Sequence, residues 1–128
     1  MAIDLNIRKE DRLLIAKGVS AVTAEDFFNF ISEFPDHEDY EKGFGILVDL
    51  RDASEIKLST SDIERIVRLS ENIREKRGNG DCAIVVYNDL SYGLARMFQS
   101  MSCNADYTIQ VFKDLKDAED FLLNKEEE

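Results

Sequence analysis

Eight polar side chains stand where two apolar runs of this chain end, and these are the residues best placed to do chemistry. Asp49, Arg51 and Asp52 close the run at residues 44–50, and Asn88, Asp89, Ser91, Tyr92 and Arg96 follow the run at residues 82–87. Together they offer carboxylates, a hydroxyl, a phenol and guanidinium groups to a small polar ligand or to a partner's loop. Tyr92 and Arg96 are four residues apart and so share one helical face. A guanidinium placed there pairs well with an acceptor across a groove. A plainer account covers the same residues: Asp89 as a helix cap, Gly93 as a close-packing position, and Arg96 in a structural ion pair with Asp49 or Asp52.

Catalysis finds little support in this set. A serine or cysteine nucleophile needs a base within hydrogen-bond reach, and His37, the only histidine, belongs to an acidic connection remote from Ser91 and Cys103. The nucleophile elbow, the P-loop and the H-E-x-x-H motif are absent. His37, Glu38 and Asp39 are adjacent rather than spaced for one face, so no metal and no cofactor are expected. Asp49 with Asp52 transfers protons only if one of them is buried. The expectation is a binding protein and not an enzyme.

For the eight side chains to meet, the two apolar runs must be neighbouring parallel strands, since open α/β sheets place ligands at the strands' carboxyl ends. The rest of the chain fits that frame. Residues 2–8 alternate, with Ile3, Leu5 and Ile7 on one side, and the polar turn Lys9, Glu10 and Asp11 leads to a second strand at residues 12–19. So short a connection makes an antiparallel hairpin. Thr23 with Asp26 resembles a capping box, and Phe27, Phe30, Ile31 and Phe34, widened by Phe28, mark one face of a helix stopped at Pro35.

Residues 35–43 form an acidic surface loop, and 44–50 is a strand buried on both faces. A link at 51–59 leads to the capping box Ser61 and Glu64, after which Ile63, Ile66, Val67, Ser70 and Ile73 trace a helix's inner face. Arg74, Lys76 and Arg77 suit the negative end of that helix dipole, and Gly78 closes it in a left-handed conformation. Next come the strand at 82–87, the turn at Asn88 and Asp89, and a helix with Leu94, Met97, Phe98 and Met101 on one face. A strand at 107–112, a helix capped by Asp114 and a solvated tail at 125–128 complete the order ββαβαβαβα. Strand and helix alternating in this way demand right-handed crossovers.

With 128 residues and 44% hydrophobic content, the chain is expected to form one domain, residues 1–128. Its 27 acidic and 16 basic residues give a formal charge of −11, which repels nucleic-acid phosphates and anionic lipid surfaces. The expected partner is therefore another protein or a small ligand. Apolar runs are too short to span a bilayer, and residues 1–8 lack the form of a leader, so the expected location is cytoplasmic. Cys82 and Cys103 are expected to be reduced. Phe98, Met97 and Met101 suit a homodimer face as well as a core.

The order of elements, the stretches ILVDLR (residues 46–51), NDLSYGLARMF (88–98) and VFKDLKDAEDFL (111–122) resemble the SpoIIAA-like proteins of the STAS/SEC14 grouping, small bacterial domains related to anti-sigma factor antagonists. The resemblance implies a mixed five-stranded sheet with flanking helices, and a non-enzymatic role in binding or signalling. Anti-sigma factor antagonists carry a regulatory phosphoserine at the helix start after the strand matching residues 46–50. Here that place reads Leu58-Ser59-Thr60-Ser61-Asp62, without the preceding Asp or following Gly of the family run. Ser59 and Ser61 are thus candidate phosphoacceptors, while the capping box alone accounts for Ser61. Lipid-binding relatives of the SEC14 branch imply an alternative, a cavity for an apolar ligand lined by Phe27, Phe28, Phe30 and Phe34, with the loop at 35–43 as its lid. Those aromatics equally suit a plain core.

Overall fold

Apolar alternation and a left-handed turn residue build the first hairpin. The computed structural model describes residues 2–123, and the tail expected at 125–128 lies outside them. Strands β1 (Ile3–Arg8) and β2 (Leu13–Thr23) pair antiparallel, with Ile3 opposite Gly18 and Arg8 opposite Leu13. The 3-10 turn Lys9–Asp11 and Arg12, at φ 52°, reverse the chain between them.

Strand β3 (Gly45–Lys57) lies parallel to β2 along its whole length, from Leu13 opposite Gly45 to Thr23 opposite Lys57. The link expected at residues 51–59 is therefore mostly strand. The register shifts between Lys17 and Val19 and again between Ser20 and Ala21, and beyond these bulges β2 and β3 run on as a ribbon without a third strand. One side of such a ribbon stays in water, so its residues read as polar linker; only Ala53 and Ile56 turn to the core. The short strands β4 (Cys82–Val85) and β5 (Ile109–Phe112) complete a parallel set, in the order β1-β2-β3-β4-β5. Every residue of β4 is buried, as its unbroken apolar run requires.

Helix α1 (Ala24–Glu33) starts at the expected capping box of Thr23 and Asp26. Helix α2 (Thr60–Asn72) starts one position pair earlier than expected. Ser59 Oγ accepts the Asp62 N–H at 3.1 Å and the Asp62 carboxylate accepts the Ser59 N–H at 2.9 Å, so the box is Ser59 with Asp62 and not Ser61 with Glu64. The long β3 explains the shift: after Lys57 only Leu58 precedes the first hydroxyl able to cap. A four-residue helix α3 (Arg74–Arg77) follows, and the chain then crosses close to residues 43–44. A Cβ on Gly80 would collide with the carbonyl oxygens of Gly43 and Phe44, which is why the crossing needs glycine.

Helix α4 (Asp89–Met101) is capped by Asn88, whose Oδ1 accepts the Ser91 N–H at 2.8 Å, so the cap is Asn88 rather than Asp89. Asp114 precedes α5 (Leu115–Leu123) and accepts the Lys116 N–H at 2.8 Å, as expected. Helices α1, α2 and α4 cover one face of the sheet, around Leu14, Ile46, Ile84 and Ala95; α5 covers the other through Ala118, Phe121 and Leu122. Three crossovers on one face are what right-handed connections between sequential parallel strands produce.

The connection at residues 35–43 is not a free acidic loop. Phe30, Phe34, Tyr40 and Phe44 form a column with ring centroids 5.0, 5.2 and 5.7 Å apart. Tyr40 O–H donates to the Arg77 carbonyl at 2.6 Å, and Gly43 N–H donates to the same oxygen at 2.9 Å. Full burial of Phe34 and Phe44 contributes roughly 2–3 kcal/mol each. A segment anchored in this way is not the lid expected for an apolar cavity, and none of residues 35–43 lines the cavity between the sheet and α1, α2 and α4.

Candidate functional site

Alternation along β3 decides which of the eight polar residues can meet. Val48 and Leu50 turn toward α1, α2 and α4, so Asp49 turns to the α5 face with Leu47. There Arg51 grips the Asp49 carboxylate with Nε and Nη2, each at 2.9 Å, and adds its own N–H at 3.1 Å. Burial acts to raise the Asp49 carboxyl, but the hydrogen bonds and charge of Arg51 outweigh it and hold the group below its ordinary value. Asp52 pairs with Lys17 at 3.0 Å, and Arg8 with Glu119 of α5 at 3.3 Å. Each of these carboxylates has a cation beside it.

The second group lies around the start of α4. Asp89 pairs with Lys113 at 2.9 Å, the Lys113 ammonium lies 5.1 Å from the centre of the Tyr92 ring, and Arg96 donates to Tyr92 Oη at 3.1 Å. Arg96 therefore does not pair with Asp49 or Asp52. The expected groove is divided, because one half of it sits under α5 and the other on α4. Ser91 is separated from both, buried beneath the first turn of α4. Beside it two large apolar side chains point outward: Tyr87 is 76% exposed and Leu90 is 75% exposed. Nothing comes within 4 Å of where a Cβ on Gly93 would stand, so that glycine is not a close-packing position.

Between the sheet and α1, α2 and α4 lies an apolar cavity of about 110 Å³. Phe27, Phe30 and Phe34 line it as expected, with Ile46 and Ile84 below and Phe98 opposite. Phe28 does not; the Arg65 guanidinium covers its ring at 4.2 Å, because Phe28 falls on the side of α1 turned toward α2's solvent edge. The polar side chains on the wall are Ser70, Ser91 and Arg77, beside the thiol of Cys82 and the phenol ring of Tyr107.

Arg77 is the residue that sequence reasoning missed. Read as a solvated cation at a helix end, it is 3% exposed. Its guanidinium lies 3.6 Å from the centre of the Tyr107 ring, and Nη1 donates to the Gly78 carbonyl at 3.0 Å. The signal was in the spacing: Ser70, Ile73 and Arg77 continue the inner face at i, i+3 and i+7. Other groups offer little reactivity. Burial pushes the Cys82 thiol up to about 11, with Arg77 opposing, and exposed His37 uses Nδ1 to accept the Asp39 N–H at 3.0 Å. Among the described residues no cluster of three His, Cys, Asp or Glu side chains is arranged to hold a metal ion.

One antiparallel strand, four parallel ones, three crossover helices on one face and a closing helix on the other make this a SpoIIAA-like, STAS-type fold. Solved structures share it, among them these two. An uncharacterised protein of the DUF3478 family with a SpoIIAA-like fold, from Shewanella loihica, is 20% identical with a TM-score of 0.57 over 94% of this chain and 92% of that one. The anti-sigma factor antagonist SpoIIAA in its unphosphorylated form is 11% identical with a TM-score of 0.54, over 94% of this chain and 96% of its own. No protein-family model and no curated protein matches the chain.

Proposed function

We propose that this chain is a non-enzymatic binding domain that engages a partner protein through the turn from β4 into α4. The observation that carries this reading is the exposed pair Tyr87 and Leu90, at 76% and 75%; among the described residues the next large apolar side chain is only 41% exposed. Exposed apolar groups gathered at one place mark interaction surfaces. Gly93 supports the same reading. A glycine within a helix costs about 0.5–1 kcal/mol against alanine, and no internal contact of this fold requires one. It leaves bare backbone one turn from Leu90, where a partner can approach closely.

The formal charge of −11 favours a neutral or basic partner surface over nucleic acid. A fold shared with an anti-sigma factor antagonist supports a protein partner. On this reading a phosphate would enter at Ser61, exposed in the first turn of α2, more readily than at Ser59, whose oxygen already serves as the cap. Two cysteines without a disulfide support a reducing compartment, and no described helix is long and apolar enough to cross a membrane.

A photo-crosslinking residue placed at position 90 in the host cell should capture a discrete partner, and Leu90→Asp should weaken its binding by about tenfold or more, a normal cost for losing an interface anchor. Gly93→Ala should stabilise the fold by about 0.5–1 kcal/mol, whereas Gly93→Leu should weaken the complex. Equal binding by Leu90→Asp and wild type would remove the reading.

The cavity supports a second reading, that of a small-ligand carrier. At about 110 Å³ it is well below the roughly 300 Å³ where ordinary ligand pockets begin, so an acyl-chain lipid is not its occupant. A compact molecule is: an apolar cavity of about 150 Å³ accepts benzene.

A further inference from the structure

A charged guanidinium is costly to bury without an anion. Arg77 is 3% exposed, yet none of the ion pairs among the described residues includes it. Of its five N–H donors, the bond to the Gly78 carbonyl uses one. Tyr107 covers one face of the guanidinium, and both residues line the apolar cavity. Its backbone is fixed as well, since its carbonyl accepts from both Tyr40 O–H and Gly43 N–H. A side chain held this firmly is preorganised to receive a ligand rather than to rearrange around one.

The remaining wall sets the rest of the ligand's chemistry. Apart from Arg77 the polar side chains of the lining are Ser70, Ser91 and the phenol of Tyr107, and everything else is aromatic, aliphatic or the un-ionised Cys82 thiol. A phosphate or a sugar would leave its other polar atoms against hydrocarbon. A single carboxylate on a short branched chain leaves none, since its two oxygens match the planar fork of a guanidinium.

We propose, resting on the second reading above, that the cavity takes a compact monocarboxylate, with Arg77 holding the carboxylate and the apolar walls holding its short branched chain. Tyr107 keeps the guanidinium in plane beneath it. The volume of about 110 Å³ suits an acid of the isobutyrate size, somewhat smaller than what an engineered cavity of about 150 Å³ admits.

The test is calorimetric titration of the full chain at pH 7 with isobutyrate and with its neutral isostere 2-methylpropan-1-ol. The acid should bind at least about tenfold more tightly, the usual worth of a hydrogen bond to a charged group. Arg77→Met should bring the two ligands level, and Ala95→Leu, which fills the cavity from α4, should remove both. Equal binding of acid and alcohol by the wild type would overturn the proposal and leave the carrier reading standing. Binding of neither would overturn both. A preference for the acid that survives Arg77→Met would also overturn it, by placing the carboxylate elsewhere. Should Arg77→Met not fold, the wild-type ratio decides together with the Arg77 Nε–H resonance, which must move on adding isobutyrate and not on adding the alcohol.

Discussion

On the α5 face of the sheet the charges meet in pairs: Asp49 with Arg51, Lys17 with Asp52, Arg8 with Glu119. On the opposite face the buried guanidinium, Arg77, has an aromatic ring and a carbonyl but, among the described residues, no carboxylate in ion-pair contact. The first arrangement sets each charge beside its opposite and ties β1 to α5 and β2 to β3, with only Arg8 Nε buried without a hydrogen-bond partner among the described residues. The second lines an apolar cavity, with one of its five donors taken by the Gly78 carbonyl. One residue type thus serves as tether on one side and as a recognition group on the other, and what separates the two roles is whether an anion comes from the chain itself.

Packing differs in the same sense, and substitution can break or sharpen the contrast. The largest effect should come from Phe34→Ala, which removes a nearly fully buried ring from the aromatic column and enlarges the cavity; urea denaturation should show a loss of about 3–5 kcal/mol. A loss under about 1.5 kcal/mol would mean that the cavity face collapses easily and is not a firm wall.

A matched pair comes next. Ala118, on the sheet-facing side of α5, is fully buried, whereas Ala95 on α4 borders the cavity. Ala118→Leu should cost about 1–3 kcal/mol by overpacking, while Ala95→Leu should change stability by less than about 1 kcal/mol. Equal costs would show the two faces to be packed alike.

The smallest effect is electrostatic. Asp49→Asn should cost on the order of 1 kcal/mol at pH 7, discounted because the Arg51 side chain is 40% exposed. The sign follows from the lowered carboxyl. A group whose value falls on folding stabilises the protein above its unfolded value, about 3.9, and loses that contribution as pH falls through the folded value. The gap between wild type and Asp49→Asn should therefore be full at neutral pH and close below about pH 4. A gap that widens in acid would reverse the assignment.

Much of the fold is legible in the sequence, and the failures have a common cause. Parallel pairing of β3 with β4 follows from their unbroken apolar runs, and the caps at Thr23 and Asp114 from short-range chemistry. The second half of β3 is not legible, because RDASEIK pairs only with β2 and has no third strand to demand apolar side chains. The shifted cap at Ser59 is a consequence of that strand's length. The divided groove turns on parity: Asp49 and Arg51 alternate with Val48 and Leu50, which puts them on one face, but which helices cover that face depends on the crossovers. Arg77 was readable from spacing and hidden by its charge, since cations near a helix end are ordinarily solvated.

The double acceptance at the Arg77 carbonyl also governs how the chain breathes. Residues 35–43 carry Lys42, a site open to trypsin on any loop that lifts away, and an amide at Gly43 that a free loop would exchange within seconds. With Tyr40 and Gly43 fastened to the same oxygen, this stretch opens only when the aromatic column and the α3 crossing come apart together. The Gly43 amide should then exchange with the protection of the central strands, and proteolysis at Lys42 should track global unfolding and not local fraying.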